Sequence, residues 1–400
     1  RIHTAVKIDP VYSGTVLHVL DASRSVTDVG NLLNAGNKVE FKQKISEEYQ
    51  KMRERHQNKR ETKKYLTLEE VRENKIDIDW KESESNIVTP QFFGTKDFQD
   101  YSLEELIPYI DWTPFFQTWQ LKGKYPKIFE DEKVGDEAKK LFDEAQVMLD
   151  KMVKEKMVQA KGIIGFWPAN TVSDDDIELY ADDNRNEVIK TFNTLRQQNE
   201  KAKGRPNYAL ADFIAPKETG VKDYMGFFAV TAGLGIEEHV DKYEKDNDMY
   251  NSIMLKALAD RLAETFAERM HERVRKEFWA YAPNEDLKPD QLITEEYHGI
   301  RPAPGYPACP EHTEKGKLFD LLDVEEKVQI ELTDSYAMYP ASSVSGMYFS
   351  HPESRYFGLG KIGKDQVEDY AERKGMTLEE AERWLAPNLN YEPEAETVEG

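Results

Sequence analysis

The sequence predicts an α+β fold, with one large domain built on a twisted, mostly antiparallel sheet that is flanked by helices. Three observations favour this class. Stretches with apolar residues at helical spacing alternate with short β-branched and aromatic runs, and no βαβ period repeats along the chain. The 18 Phe, 20 Tyr and 6 Trp supply the bulky side chains of a core. We expect a short first unit, residues 1–61, and a main domain, residues 62–400.

The first unit has a composition of its own. Thr15–Leu20 is a β-branched and apolar run that predicts a strand, and Asp21–Ser25 follows it with turn and N-cap residues. Val29 and Leu33 continue at helical spacing, and a polar helical stretch runs from Val39 to His56. This strand and helix are too small for a domain, and the start at Arg1 suggests a piece excised from a longer chain.

Helices and strands alternate through the main domain. The predicted helices are Glu137–Lys161, Arg185–Lys203, Met249–Ala282 and Asp365–Leu385. The predicted strands are Gly162–Phe166, Ile177–Tyr180, Tyr208–Ile214, Tyr224–Thr231, Val328–Thr333, Val344–Phe349 and Tyr356–Ile362. The most apolar stretch, Gly226–Ile236, is about half the roughly 20 residues of a membrane span and predicts a buried strand with a turn.

One predicted helix carries a clear apolar stripe. Its members are assigned to the core: Leu255, Leu258, Leu262, Phe266, Met270 and Val274. Glu264 falls off this stripe, so composition alone places it on a solvated face.

Charge and cysteine content exclude several classes of function. A net charge of −22 would repel nucleic acids and anionic membranes, so we expect neither as a partner. The single cysteine, Cys309, excludes an internal disulfide and a zinc site of several cysteines. It fits a reducing, cytoplasmic location. Because nothing nearby suggests an activated thiolate, we expect a small buried thiol.

The segment Lys51–Lys64 is basic although the protein is acidic. It holds seven basic residues against Glu54 and Glu61. Two interpretations stay open, a solvated linker and a docking strip for an acidic partner.

Several familiar motifs fail on inspection. Gly233–Glu238 has a glutamate in place of the third glycine of a dinucleotide loop. His271–Arg275 lacks the second histidine of a zinc-protease helix. The acidic run Asp174–Asp176 with Glu178 lacks the spacing of a calcium loop, and helix capping or solvation explains it better. No serine nucleophile elbow is present.

The loop Gly299–Pro310 has four prolines and two glycines in twelve residues. Prolines hold the backbone extended and remove N–H donors, which leaves carbonyl groups to accept from a ligand. Arg301 offers a planar fork for a carboxylate, Gly305 allows close approach, and Tyr306 gives an aromatic face. A ligand loop and a stiff surface connector both fit this composition.

At this loop the sequence resembles a known family. Four long strings carry the resemblance: Tyr109–Phe116, Arg301–Lys315, Val344–Pro352 and Trp384–Leu389. They are similar to the C-terminal activation domain of cobalamin-dependent methionine synthase, over about Glu69 to Asn390. The opening, with His3–Ile8, Tyr12–Gly14 and Ala22–Arg24, resembles the end of that enzyme's α/β cobalamin-binding domain.

The resemblance implies S-adenosylmethionine as ligand and assigns its binding residues. The family's Arg-x-x-x-Gly-Tyr motif corresponds to Arg301, Gly305 and Tyr306 here, with Ala303 contributing backbone. Motif matches also place Asp111 near the amino group of the ligand, with Glu264 reaching it and the Tyr356-Phe357 pair beside it. The family often has two tyrosines at that pair, so Phe357 departs from the pattern. Ala22 matches a cobalamin-contacting position.

The resemblance further implies an activity and partners. In the family, this domain binds S-adenosylmethionine as methyl donor while a flavodoxin or flavodoxin-like reductase returns an electron to cob(II)alamin, in an enzyme that methylates homocysteine to methionine. Cobalamin is held mainly by the upstream domain, and zinc belongs to the homocysteine domain, which this chain lacks. No catalytic or metal-ligating residue is assigned, and the chain is not expected to turn over homocysteine by itself. A non-catalytic module that binds S-adenosylmethionine and docks a reductase is the alternative.

Overall fold

Residues 1–19, 22–61 and 64–394 are described by a computed structural model. The chain divides into two units, Arg1–Leu66 and Thr67–Gly400, and each is described by itself. Within the described ranges, no helix combines the length and the apolar character that crossing a bilayer requires.

The first unit is helical. Its two α-helices are α1, Ala22–Leu33, and α2, Lys38–Glu61, which confirms the helical predictions there. The predicted strand is wrong for residues 15–19, which form no strand, and Leu20 lies outside the described residues. The backbone N–H of His18 donates to the Tyr49 hydroxyl at 3.1 Å, so a side chain of α2 takes the bond that a partner strand would have accepted.

One cation of the basic segment Lys51–Lys64, Arg53, forms an ion pair inside this unit. Arg53 is half-buried, and its Nη1 donates to Asp9 Oδ2 at 2.7 Å and to the carbonyl of Ala5 at 2.9 Å. The side chains of residues 56–63 lie outside the described part of the chain. Arg53 therefore stabilises its own unit rather than facing solvent freely.

The second unit is built on an antiparallel sheet. Its strands run in the order β4-β3-β2-β5-β8, with β1 paired to the first half of β2 and a separate hairpin of β6 and β7. The strands are β1 Gly94–Phe98, β2 Gln159–Val172, β3 Asp176–Tyr180, β4 Val188–Asn193, β5 Asp223–Leu234, β6 Glu331–Leu332, β7 Met338–Tyr339 and β8 Ser343–Tyr348.

Helices cover both faces of this sheet. They are α3 Leu68–Glu73, α4 Trp80–Ser83, α5 Leu103–Leu106, α6 Trp112–Thr118, α7 Gly135–Lys154, α8 Ile236–Lys245, α9 Met249–Arg273, α10 Pro289–Ile293, α11 Glu314–Leu322, α12 Val324–Val328, α13 Lys364–Lys374 and α14 Leu378–Leu385. The long helix α9 packs on β5 and β8, and α11 and α12 pack on β5 and neighbouring strands. The α+β prediction is confirmed.

The central elements follow the sequence prediction. Alternate residues of β2 enter opposite cores, with Ile164 and Phe166 on one face and Ile163 and Trp167 on the other. Burial on both faces is why β2 and β5 appear as nearly continuous apolar runs. The predicted stripe of α9 is fully buried, and a π-helical turn, Val274–Phe278, continues that helix.

Three predicted elements are wrong. Arg185–Lys203 is not a helix, because its first half forms β4 and Ile177 of β3 pairs with Phe192. Tyr208–Ile214 holds a 3₁₀ turn, Leu210–Phe213, in which Asp212 accepts from the N–H of Ala209. Tyr356–Ile362 is irregular, and there Leu359 N donates at 2.7 Å to the carbonyl of Pro307.

Other boundaries shift at residues with left-handed backbone. The predicted helix Asp365–Leu385 is interrupted at Gly375, where φ is +71°, and α14 begins after the cap Thr377. The helix predicted to Lys161 ends at Lys154, just before Lys156 at φ +50°. In the predicted strand Val328–Thr333, only β6 is extended into a ladder, since Val328 closes α12.

Within the acidic run Asp174–Asp176, Asp174 is exposed as the solvation interpretation predicts, but Asp175 and Asp176 are buried. Asp175 is fully buried, and its two carboxylate oxygens accept from Arg196 Nε at 2.9 Å and Arg72 Nε at 2.7 Å. Arg196 also binds Asp212 through two bonds of 2.7 and 2.8 Å. Asp175, Arg72, Arg196 and Asp212 therefore form an internal ion-pair network.

Candidate functional site

The polar face of α9 forms one wall of a cleft. Arg261, Glu264, Thr265 and Glu268 recur at intervals of three and four residues, so they share the side of the helix that the apolar stripe leaves free. Each of these four residues lines the cleft. Helix α9 thus packs on the sheet with one face and directs charged residues to the cleft with the other.

The cleft encloses about 160 Å³. The remaining walls come from three other segments, and their residues are Tyr109, Asp111, Leu292, Ile293, Glu295 and Arg301. Pockets for drug-sized ligands span roughly 300–1,000 Å³, so this cleft has room for only part of such a molecule. The structure therefore brings together three predicted site residues, Asp111, Glu264 and Arg301.

Arg301 is the main cation of the cleft. Its Nη2 lies 2.8 Å from Glu268 Oε2, and its Nη1 donates to the Tyr297 hydroxyl at 2.9 Å. Burial alone would lower the pKa of the guanidinium, but the adjacent Glu268 carboxylate together with the surrounding tyrosines outweighs it, so the pKa is raised. Arg301 thus stays charged and is held in one orientation.

Two tyrosines fix Arg301 from a second side. The Tyr356 hydroxyl accepts from the backbone N–H of Arg301 at 3.0 Å and lies 3.1 Å from the Tyr297 hydroxyl. With the bond from Arg301 Nη1 to the Tyr297 hydroxyl, these contacts form a closed cycle of hydrogen bonds that links the side chain of Arg301 to its own backbone. Tyr356 is therefore tied directly to the cleft, although it does not line it.

Glu264 is not a solvated surface residue, contrary to the prediction from composition. It is half-buried on the cleft wall. Burial raises the pKa of its carboxyl, with Asp260 and Glu268 adding to the shift and Arg261 and Arg301 opposing it. Burial therefore disfavours the charged form of the Glu264 carboxyl, while the nearby Arg261 and Arg301 favour it.

Asp111 enters the cleft from the start of α6. It is the N-cap of that helix, and its Oδ1 accepts from the backbone N–H of Thr113 at 2.9 Å. Capping fixes the direction of this carboxylate, which places it opposite the α9 wall.

His271 lies behind Arg301 rather than in a metal site. It is fully buried, and its Nδ1 is 3.5 Å from Arg301 Nη1. Its ring stacks on Tyr348 with centroids 5.2 Å apart. Burial, with help from Arg275 and Arg301, lowers its pKa well below the ordinary value, so the imidazole is neutral at pH 7.

The proline-rich loop after α10 runs along the outer edge of β8. Ile300 and Phe349 exchange two backbone bonds of 3.0 Å, and Met347 N donates to the carbonyl of Pro302 at 2.8 Å. The prediction that the loop leaves its carbonyls free is wrong at these positions, because the sheet edge takes them. The loop is rigid through its bonds to the core as well as through its prolines.

Gly305 is required by the fold of this loop. Its φ is +93°, and a Cβ there would lie 2.5 Å from Cε1 of His312. Its neighbour Tyr306 is 56% exposed, and burial of the rest of the side chain, together with Glu264, raises its pKa. Ala303 is buried and accepts from Tyr306 N at 3.1 Å. These three residues form a tight turn beside the cleft, not its lining.

Phe357 is a predicted site residue that is not brought to the cleft. Phe357 packs on Tyr208 and Phe213, with ring centroids 5.8 and 6.4 Å away, in the core on the other side of the sheet. Ala22 begins α1 in the first unit, and its side chain lies outside the described residues. Cys309 is buried as predicted, and burial raises the pKa of its thiol.

Sequence reasoning missed part of the cleft. Glu268 follows Glu264 by one turn of α9, so helical spacing could have found it. Arg261 is likewise one turn before Thr265. Tyr297, which binds Arg301, lies in an irregular segment where helical spacing gives no signal. Glu295, at φ +58°, carried no such signal.

The fold and this cleft are typical of a domain that binds a small charged molecule, since a fixed guanidinium faces several carboxylates in a partly enclosed space. Residues 102–375 match the family described as "Vitamin B12 dependent methionine synthase, activation domain". This chain belongs to that family, whose members are part of a methyltransferase.

A solved structure supports the same assignment. It is described as the crystal structure of the MetH reactivation domain bound to AdoHcy, and it is similar to this chain with a TM-score of 0.79 and 55% sequence identity. The match covers 82% of this chain and 99% of that chain.

Proposed function

We propose that this chain binds S-adenosylmethionine and serves in the reductive reactivation of cob(II)alamin in methionine synthase. The observation that carries the proposal is that Arg301, Asp111 and Glu264 lie in one cleft. A guanidinium suits the carboxylate of an amino acid, and carboxylates suit its ammonium. The family, and the similar domain bound to AdoHcy, support a ligand of this chemistry.

The amino-acid part of the ligand fits the cleft. A guanidinium has five N–H donors, and the contacts of Arg301 to Glu268, Tyr297 and His271 use three at most. At least two remain for a carboxylate. Because the cleft is small, the nucleoside would extend over the turn that contains Ala303, Gly305 and Tyr306, as the resemblance implies.

The positive sulfur needs a suitable environment outside the cleft. Tyr306 and Tyr356 are both partly exposed beside it and offer aromatic faces, which attract cations. Phe357 has no part in this proposal, because it packs on the other core.

The proposed transfer needs positioning rather than proton transfer. Cobalamin, when bound to the upstream domain of the enzyme, supplies the nucleophile for the methyl group. The residues of this chain hold and orient the methyl donor, so no general base is required among them. From the resemblance alone, we assign a cobalamin contact to Ala22 and zinc to the homocysteine domain of the full enzyme. We place the whole reaction in the cytoplasm.

The electron donor in this proposal is a flavodoxin or flavodoxin-like reductase. Such donors are typically acidic, so a protein with a net charge of −22 needs a local positive site. The basic strip Lys51–Lys64 is our candidate. Since Arg53 is engaged with Asp9, charge reversal should target Arg55, Lys59 and Arg60, and unchanged reductase coupling would remove the strip from the proposal.

Calorimetry with S-adenosylmethionine tests the proposed function. We expect the 400-residue chain to bind the ligand and Arg301→Ala to weaken binding by about 100-fold, because one partner of a desolvated charge pair is lost. Arg355→Ala is the matched control, since Arg355 is exposed and pairs with Glu353. Absence of binding by the unmodified chain at millimolar ligand would refute the proposal. Binding without reactivation in the presence of the cobalamin domain would favour the non-catalytic module.

A further inference from the structure

Arg275 is a second buried arginine, and it lies behind the cleft rather than in its wall. It belongs to the π-helical turn Val274–Phe278 that continues α9, and it is fully buried. Its Nε and Nη2 donate to the carboxylate of Glu285 over distances of 2.8 to 3.0 Å. This paired arrangement fixes the plane of the guanidinium. Such turns are rare within helices and are frequent at functional sites.

The guanidinium of Arg275 lies over the ring of Tyr297. Its central carbon is 4.3 Å from the ring centroid, a distance at which a cation is attracted to an aromatic face. The remaining nitrogen, Nη1, is buried and has no hydrogen-bond partner among the described residues. The contact with the ring compensates in part for this, so Arg275 and Tyr297 hold each other in place.

The hydroxyl of Tyr297 connects this contact with the cleft. It accepts from Arg301 Nη1 at 2.9 Å and lies 3.1 Å from the hydroxyl of Tyr356. The ring of Tyr297 is also met edge-on by His271, with centroids 4.8 Å apart. Because Arg275 and His271 fix the ring from behind, a displacement of Arg275 would move the hydroxyl that orients Arg301.

We propose that Arg275 is a positioning residue: through the ring of Tyr297 it holds Arg301 in the orientation that receives the carboxylate of the ligand. Arg275 itself does not touch the ligand, since it is fully buried and does not line the cleft. Glu285 acts one step further away, because it fixes the guanidinium of Arg275. This inference rests on the proposed function and adds to it two residues outside the cleft.

Removal of the ligand's carboxylate gives a test that separates positioning from stability. Calorimetry would compare S-adenosylmethionine with its decarboxylated analogue on the unmodified chain and on Arg275→Lys, which keeps a charge for Glu285 but loses the planar face. For the unmodified chain we expect the carboxylate to be worth about 100-fold in affinity. In Arg275→Lys we expect this preference to fall by about five-fold, with the decarboxylated analogue bound as before.

A double-mutant cycle identifies the route of the effect. Tyr297→Phe keeps the ring beside Arg275 but removes the hydroxyl, so it should lower the carboxylate preference by about 10-fold. In the Tyr297→Phe background, Arg275→Lys should change the preference by less than about two-fold, because no hydroxyl is left to position. A purely structural role of Arg275 would give the same effect in both backgrounds.

Arg273 supplies a matched control at the end of the same helix. It also forms an ion pair with a glutamate, Glu277, at 2.9 Å, and it lies 4.8 Å from the ring centroid of Phe278. Because Arg273 does not line the cleft, Arg273→Lys should keep the full carboxylate preference. If Arg275→Lys does not fold, Glu285→Gln supplies the same comparison, because it loosens the guanidinium of Arg275 without removing it.

The outcomes separate the possible failures. An undiminished carboxylate preference in Arg275→Lys or Glu285→Gln overturns the inference, and so does equal weakening of both ligands. An effect of Arg275→Lys that persists in full in the Tyr297→Phe background overturns it as well, because Arg275 would then act by another route. Equal affinity of the unmodified chain for the two ligands overturns the inference and leaves S-adenosylmethionine binding intact. If the unmodified chain binds neither ligand, the proposed function itself fails.

Discussion

Two arginine–carboxylate clusters in the second unit use the same chemistry with different results. Around Arg196, the four carboxylate oxygens of Asp175 and Asp212 all have a hydrogen-bond partner, and the guanidinium is fully buried. Around Arg301, one buried oxygen of Glu268 has none among the described residues, and the cluster opens into a cleft. The first cluster is closed and holds the fold together, whereas the second borders a cleft that a ligand could enter.

The largest expected effect concerns the closed cluster. Arg196→Ala should lower the free energy of unfolding by about 3–5 kcal/mol, because the buried carboxylate of Asp212 loses its cation and Asp175 keeps only Arg72. Denaturant unfolding would measure the loss. Arg205→Ala, at an exposed residue of the following segment, should change stability by less than about 0.5 kcal/mol. A loss below about 1 kcal/mol for Arg196→Ala would show that the cluster is not structural.

A smaller effect concerns pH at the open cluster. Because the pKa of Glu264 is raised, this carboxyl takes up a proton at a higher pH than an ordinary glutamate as the solution is acidified. The folded state then binds that proton more tightly than the unfolded state, so the contribution of Glu264 to stability improves as pH falls. Its attraction for an ammonium group disappears over the same range.

Affinity and stability should therefore respond to Glu264 in opposite directions. As the pH falls from neutral toward the ordinary titration range of glutamate, we expect S-adenosylmethionine affinity to fall several-fold. The Glu264→Gln variant should bind more weakly at pH 7 and show a flatter profile. Calorimetry and thermal unfolding over this range would measure both. A profile that is equally steep in the variant would contradict the role given to Glu264.

The smallest effect is expected at Phe357. Restoring the second tyrosine of the family pair with Phe357→Tyr should change ligand affinity by less than about two-fold, because this ring packs on Tyr208 and Phe213. Tyr356→Phe is the informative counterpart, since it removes the hydroxyl that bonds to Arg301. An affinity gain of several-fold in Phe357→Tyr would return this residue to the site.

The sequence predicted the middle of the fold better than its periphery. Strands β2, β5 and β8 and helix α9 are buried along long runs, so their apolar patterns are strong. The helix predicted at Arg185–Lys203 failed in its first half, where the apolar Val188 and Ile189 lie at the surface of β4 with exposures of 44% and 36%. There, pairing with β3 decides the conformation.

The residues of the cleft show the same difference between strong local patterns and contacts that depend on distant parts of the chain. Arg301 could be singled out from its own loop, whose composition is unusual. The environment of Glu264 could not, because its burial depends on residues from α6 and from the loop, which are distant along the chain. The pairing of Glu268 with Arg301 joins residues 33 positions apart that no local pattern connects. The family resemblance supplied Glu264 but not Glu268.

The attachment of the proline-rich loop to β8 has a consequence for ligand binding. Its bonds at Ile300, Phe349 and Met347 anchor the loop to the outer edge of the central sheet. The amides of these residues should exchange with solvent as slowly as those of the core. A site held in this way loses little conformational entropy when a ligand arrives, which favours fast association without a closing step.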